Sequence, residues 1–225
     1  MDRIDPFTFN WRALESNNRW VRRFLPLMRG RVLDLGCGTA PYRDDILTTA
    51  GQYVGVDWPA TSHDTSRVDV FADLSAPLPS QNECADTVTV FKVLEHLREP
   101  AAFLAECARV VRPGAHIVIL VPFLHPVHEA PHDYFRYTKY GLEYLLERAG
   151  FDQVSVFEKT GFWEMWVLKW NYHTRRYARG PLKIFWIPAW WLGQVVAPWL
   201  DRAFPHLEMT ASYAAHARKP SRAGV

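Results

Sequence analysis

Val32-Leu33-Asp34-Leu35-Gly36-Cys37-Gly38-Thr39 decides how this chain folds. A short apolar run ends in a loop with two glycines one residue apart. Glycine lets backbone approach a ligand closely, and the start of the following helix offers unpaired N–H groups. Farther on, Val54-Gly55-Val56-Asp57 ends a second run in a carboxylate placed to accept hydrogen bonds from a ribose diol. Thr87–Phe91, His116–Val121, Phe151–Phe157 and Ser212–Ala217 are further strand candidates. Between them, Phe103, Leu104, Cys107, Val110 and Val111 share one helical face from Pro100 to Arg112, with Arg112-Pro113-Gly114 as its stop. Tyr140–Ala149 repeats the pattern with Gly150 as terminator. Strands alternating with helices imply a parallel sheet. Ahead of them, Trp20, Val21, Phe24 and Leu25 recur at helical spacing after a cap expected from Ser16-Asn17-Asn18.

Composition narrows the function classes. With 48% hydrophobic and 14% aromatic residues among 225, the chain is not a disordered protein. A net charge of +2 gives no general affinity for nucleic acid. Three scattered cysteines, Cys37, Cys84 and Cys107, suggest neither a disulfide framework nor a zinc knuckle. Met1-Asp2-Arg3-Ile4-Asp5-Pro6 shows no secretory pattern, so a cytoplasmic location is expected.

The glycine loop and Asp57 suit an adenosyl ligand, but Pro41 stands where a dinucleotide fold would want a third glycine. Three more segments complete an ordered set: Ala72-Asp73-Leu74, then Asp86–Phe91 leading to Leu94-Glu95-His96-Leu97, then Arg109-Val110-Val111-Arg112-Pro113-Gly114. The set resembles the class I S-adenosylmethionine-dependent methyltransferases, in the subgroup with V-L-E-H after the fourth strand and R-V-L-x-P-G-G before the fifth. Ala115 replaces the last glycine. The likeness covers Gly30 to Phe157. It implies a Rossmann-like three-layer α/β sandwich, with a mostly parallel seven-strand sheet and a helical insert before a final antiparallel strand. It also implies S-adenosylmethionine as cofactor, with Asp34, Gly36 and Gly38 along its methionine end, Asp57 on the ribose, Asp73 and Leu74 at the adenine, and Phe91 flanking the methyl. A plainer role for Asp57 and Asp73 is loop capping. An NAD-type oxidoreductase and a non-catalytic nucleotide-binding module are the competing function classes.

After the fifth strand, Pro131-His132-Asp133-Tyr134-Phe135-Arg136-Tyr137-Thr138 resembles the P-x-D-Y-F-R-Y-T loop of a bacterial branch of that superfamily. The acceptor is expected here, as a small or lipid-linked metabolite methylated on oxygen in preference to nitrogen or carbon. His125, His128, His132 and Tyr137 are the candidate acid–base residues. His128, His132 and Asp133 have metal-ligand spacing, but the prolines oppose a helical ligand face and no metal is expected. Alternatively, Asp133, Arg136 and Tyr137 pin the loop and cap a helix near Thr138, and His96 is a loop or cap residue.

The chain divides into a helical extension (1–29), the cofactor-binding core (30–160), a Trp-rich helical insert (161–205), and a last strand with its tail (206–225). Seven of the ten tryptophans lie between Trp163 and Trp199, beside Arg175, Arg176 and Arg179. Ile184–Leu200 carries no charge but is short for a bilayer span and interrupted by Pro188, Gly193 and Pro198. The insert is therefore expected to be a lid, a dimer face, or a contact with an anionic membrane surface on its cytoplasmic side.

Overall fold

Arg31–Leu35 forms strand β1, and its successive side chains serve opposite faces of a sheet. Val32 joins an apolar cluster on one side, while Leu33 and Leu35 join a larger one on the other. Burial on both faces explains why the run is continuously apolar and not alternating. The computed structural model describes residues 4–60 and 64–222, so 1–3 at the N-terminus and 223–225 of the tail lie outside the description.

Strands β2 (Gln52–Asp57), β3 (Val70–Phe71), β4 (Ala85–Phe91), β5 (Val111–Pro122), β6 (Asp152–Glu158) and β7 (Ser212–Arg218) complete a seven-stranded sheet. Its order is β3-β2-β1-β4-β5-β7-β6. β1 to β5 are parallel, and β7 runs antiparallel to both β5 and β6. Strand order reverses between β1 and β4, which opens a ligand crevice at the carboxyl ends of these strands. The expected Rossmann-like α/β sandwich with an antiparallel last strand is the architecture observed.

Helices α1 (Trp11–Phe24) and α2 (Arg43–Ile46) cover one face through Trp20, Val21, Phe24 and Ile46. On the other face lie α3 (Pro100–Val110) and α4 (Lys139–Arg148), which contribute Phe103, Leu104, Leu142 and Leu146. Each such buried side chain stabilises the fold by roughly 1.5–3 kcal/mol. Thr138 caps α4 by accepting from the Gly141 N–H at 3.1 Å, and Gly150 ends it at φ +92°.

Two local expectations are corrected. Ser16-Asn17-Asn18 lies inside α1, with Ser16 and Asn18 buried, because packing against β6 and its neighbours outweighs their preference for caps. Arg112-Pro113-Gly114 belongs to β5, whose first residue follows α3 directly. The Lys219 ammonium supplies the helix stop by donating to the Ala108 and Val111 carbonyls, both at 2.8 Å. Ala72-Asp73-Leu74 directly follows the short strand β3.

Between β6 and β7 the chain inserts α5 (Phe162–Thr174) and α6 (Lys183–Ala203). Asp201 of α6 caps α5 by accepting from the Trp163 and Glu164 N–H groups at 2.8 and 3.0 Å. Gln194, almost wholly buried, donates to the Thr8 carbonyl and accepts from the Arg12 N–H, tying α6 to the start of α1. Contrary to expectation, Pro188 and Pro198 do not interrupt α6, because its inward face of Trp190, Gln194 and Ala197 is held by packing. Among the described residues no helix is long and apolar enough to cross a membrane.

Gly36 sits at φ +77°, and a Cβ there would collide with the Val93 side chain. Gly36→Ala is therefore expected to destabilise the protein by about 2 kcal/mol or more, read as a lowered midpoint in urea denaturation. An unchanged midpoint would mean that the loop relaxes freely.

Candidate active site

The crevice is framed by the loop after β1. Gly38 has φ +53° and faces open space on the side where a Cβ would stand. Its N–H donates to Asp57 Oδ2 at 2.5 Å, and the Trp58 N–H donates to Asp57 Oδ1 at 2.6 Å. Asp57 thus holds the glycine loop against the end of β2. Each carboxylate oxygen still keeps a second lone pair for a ligand. Asp34 lies deeper, taking hydrogen bonds from Tyr53 Oη at 2.6 Å and Thr89 Oγ1 at 2.7 Å. Burial raises its pKa to about 6 against those two bonds, with Asp57 adding to the rise. Asp73 is exposed, and its Oδ1 accepts from the Ser75 N–H, the capping role foreseen as the plainer one. Leu74 is buried in the larger apolar cluster, and half-buried Phe91 meets Tyr42 edge to face.

The loop between β5 and α4 crosses from this crevice to the end of β4. The Arg136 guanidinium grips Asp133 through both nitrogens, at 2.5 and 2.6 Å, and that pairing drives the Asp133 pKa down. At its tip the exposed His132 ring lies 6.0 Å from Trp58, beside Asp57, so the loop reaches over the cofactor side. His132 Nδ1 lies 3.2 Å from Tyr134 Oη. Tyr137 is buried and donates its hydroxyl to the Leu94 carbonyl at 2.9 Å, while burial raises its pKa. It fixes the turn after β4 and is not poised for proton transfer, which corrects its place among the acid–base candidates.

His128 has the setting of a base. Its Nδ1 faces the Pro126 carbonyl and Asp133 Oδ2, each 3.4 Å away, which leaves Nε2 as the free nitrogen of the neutral ring. Nε2 lies 3.7 Å from Glu95 Oε1, an ionic contact too long for a hydrogen bond. The Glu95 carboxylate raises the His128 pKa, burial opposes it, and Asp133 adds to the rise. Glu95 is fully buried, and neither of its oxygens has a hydrogen-bond partner. His96 completes the group, its Nδ1 2.7 Å from the His132 carbonyl and its buried Nε2 without a hydrogen bond, 3.8 Å from Glu95 Oε1 and 3.7 Å from Glu129 Oε2. Ligand atoms of Glu95, His96 and His128 lie within 4.8 Å of one another, so this donor set could hold a metal ion. The set differs from the His128, His132 and Asp133 combination weighed from spacing, because Arg136 occupies Asp133.

Beside this group, a narrow cavity of about 20 Å³ lies at the carboxyl ends of β4, β5 and β6 under α1, α5 and α6, and Lys92, His125 and Lys159 line it. Burial and nearby Lys92 lower the His125 pKa to about 3, so this ring stays neutral and is a poor base at neutral pH. The sequence reading passed over Lys92, Glu95 and Lys159 as site residues. Glu95 had one usable signal, a lone acid in the otherwise apolar Val93-Leu94 turn.

A family model described as a methyltransferase domain matches residues 33–119. A probable S-adenosylmethionine-dependent methyltransferase of Mycolicibacterium smegmatis is 32% identical, with 68% of each chain aligned. The chain belongs to the S-adenosylmethionine-dependent methyltransferases. A ubiquinone biosynthesis O-methyltransferase of Paracidovorax citrulli is 28% identical to this methyltransferase over 44% of the chain and 46% of its own length. A solved S-adenosylmethionine-dependent methyltransferase from Archaeoglobus fulgidus shares its fold, with a TM-score of 0.62 and 19% identity over 92% and 94% of the two chains. The methyltransferase crevice fits the cofactor chemically. Open space at Gly38 admits a ligand against backbone, and Asp57 presents a carboxylate at the edge of that space.

Proposed function

We propose that this methyltransferase methylates an oxygen of a small or lipid-linked metabolite, one group of which reaches the narrow cavity behind β4, with His128 as the general base. The observation that carries the reading is His128 beside the buried, unpartnered carboxylate of Glu95. In the bound state S-adenosylmethionine supplies an activated methyl group. Asp34, Gly36 and Gly38 would hold its methionine end, Asp57 the ribose hydroxyls, Asp73 and Leu74 the adenine edge, and Phe91 the side of the transferring methyl.

The chain's remaining task is to orient the acceptor, exclude water and take one proton. His128 Nε2 accepts the proton of the acceptor hydroxyl, and Glu95 stabilises the imidazolium that results. Asp133, clamped by Arg136, keeps the ring turned so that Nε2 faces Glu95. The O-methyltransferase names among the relatives support oxygen as the receiving atom. The test is transfer from trideuteromethyl-labelled cofactor to a panel of phenols, catechols and sugar hydroxyls, with fragmentation locating the label. Label found solely on nitrogen or carbon would overturn the oxygen assignment.

The Glu95 and His96 atoms that lack hydrogen bonds favour a second reading, in which a divalent cation at Glu95, His96 and His128 orients the acceptor oxygen. Activity that survives exhaustive chelation belongs to the base reading, and activity restored only by added Zn²⁺, Mn²⁺ or Mg²⁺ belongs to the cation reading.

We further propose that the insert rests on the cytoplasmic face of an anionic membrane. Along α6, Ile184 and Phe185 are each 71% exposed, Leu192 57% and Trp199 65%, while Arg175, Arg176, Arg179 and Lys183 flank the N-terminal end of this apolar face. Trp190 belongs to the interior, donating its Nε1 proton to Thr174 Oγ1 at 2.8 Å. The paired replacement Trp191→Ala with Trp199→Ala, which leaves that bond intact, is expected to abolish flotation with phosphatidylglycerol vesicles. Wild-type protein that fails to float would sink the membrane proposal.

A further inference from the structure

We infer that the cavity beneath α1, α5 and α6 is built to take an oxyanion, a carboxylate or phosphate carried by the methyl acceptor, on Lys92, Lys159 and Arg12. The inference rests on the reading of this cavity as the acceptor's.

Lys159 lies at the start of the chain's turn into α5 and is only 5% exposed. Its ammonium meets Asn17 Oδ1, which engages one of its three N–H groups. Burial, reinforced by Lys92 and Arg19, holds its pKa well below the ordinary lysine range, against a pull from Glu95. Lys92, directly after β4 at φ +61°, lines the same cavity and is also lowered, by burial first. Among the described residues neither lysine forms an ion pair with a carboxylate within 4 Å. Arg12 reaches in from α1. Its Nη2 pairs with Glu164 Oε1 at 2.9 Å, but its buried Nε has no partner.

Among the described residues lining the cavity Glu164 is the sole acid, and Arg12 already pairs with it. Two buried amines, each held below ordinary lysine basicity, and one unused guanidinium N–H therefore converge on a space whose lining also includes Val167, Leu168 and Ala197. A protein seldom buries cations together without compensation, because desolvation is costly and their mutual repulsion adds to it. A bound oxyanion supplies that compensation, and charge-assisted bonds are strong where water is excluded. Neutral His125 at the rim leaves this balance unchanged.

The test is calorimetry on the intact protein loaded with S-adenosylhomocysteine, using benzoate, phenyl phosphate and the uncharged isostere benzamide. One or both anions should bind at least about tenfold more tightly than benzamide, and their order tells carboxylate from phosphate. Lys159→Met and Lys92→Met should each weaken anion binding by about tenfold or more, while S-adenosylhomocysteine affinity stays within about threefold. Should Lys159→Met fail to bind S-adenosylhomocysteine, and so not be folded, Lys92→Met alone decides. Equal affinity for benzamide and the anions, or anion affinity unchanged in a folded variant, overturns the inference. Wild-type protein that binds benzoate but not S-adenosylhomocysteine would instead overturn the functional reading on which it rests.

Discussion

Asp57→Ala is expected to lower affinity for S-adenosylmethionine by about 100-fold or more, because this carboxylate has two tasks. It orders the glycine loop by accepting from the Gly38 and Trp58 N–H groups, and in the proposed reading its remaining lone pairs would receive the ribose diol. Hydrogen bonds to a charged group are worth about 1.5–3 kcal/mol each, so losing two already reaches that factor. Asp57 is 8% exposed, so little water can replace it. Isothermal titration with S-adenosylhomocysteine checks the prediction, with circular dichroism confirming the fold. Asp57→Asn should fall between, since it keeps one carbonyl acceptor. Wild-type affinity in Asp57→Ala would place the ribose elsewhere.

His128→Gln should reduce kcat by about 10²–10⁴-fold with cofactor affinity unchanged, the range typical of a lost general base. The pH profile separates catalysis from mere positioning. His128 must be neutral to accept a proton, and Glu95 holds its pKa above the ordinary histidine value of 6.5. Activity therefore falls as pH drops through that raised value. Glu95→Gln removes the charge responsible, so the acid limb should move to lower pH even as kcat declines. An unchanged limb in Glu95→Gln, or full activity in His128→Gln, would remove His128 from the chemistry.

The features legible in the sequence are those encoded locally. β1 and the glycine loop announce themselves because an apolar run and two glycines with positive φ are neighbours in the chain. Gly150 ends α4 for the same reason. Ser16-Asn17-Asn18 misled because local cap preference yields when tertiary packing buries the residues. Asp201 capping α5 across the insert has no local signature. The grouping of Glu95 and His96 with His128 exists only because β4 and β5 are adjacent and Arg136 folds the loop back over them. Tyr137 illustrates the reverse case. A tyrosine in a histidine-rich loop reads as chemistry, yet its hydroxyl is spent on the Leu94 carbonyl. The tryptophans divided similarly, with Trp190 facing inward and Trp199 outward on one helix.

In the proposed arrangement one crevice would hold the cofactor on Asp57 and turn its sulfur toward the cavity beside Lys92 and His128. A crystal structure with bound S-adenosylhomocysteine measures this directly. The expected result is ribose hydroxyls within hydrogen-bond distance of the Asp57 carboxylate and the sulfur at the cavity mouth. A ribose bound away from Asp57, or a sulfur facing away from His128, would contradict the arrangement.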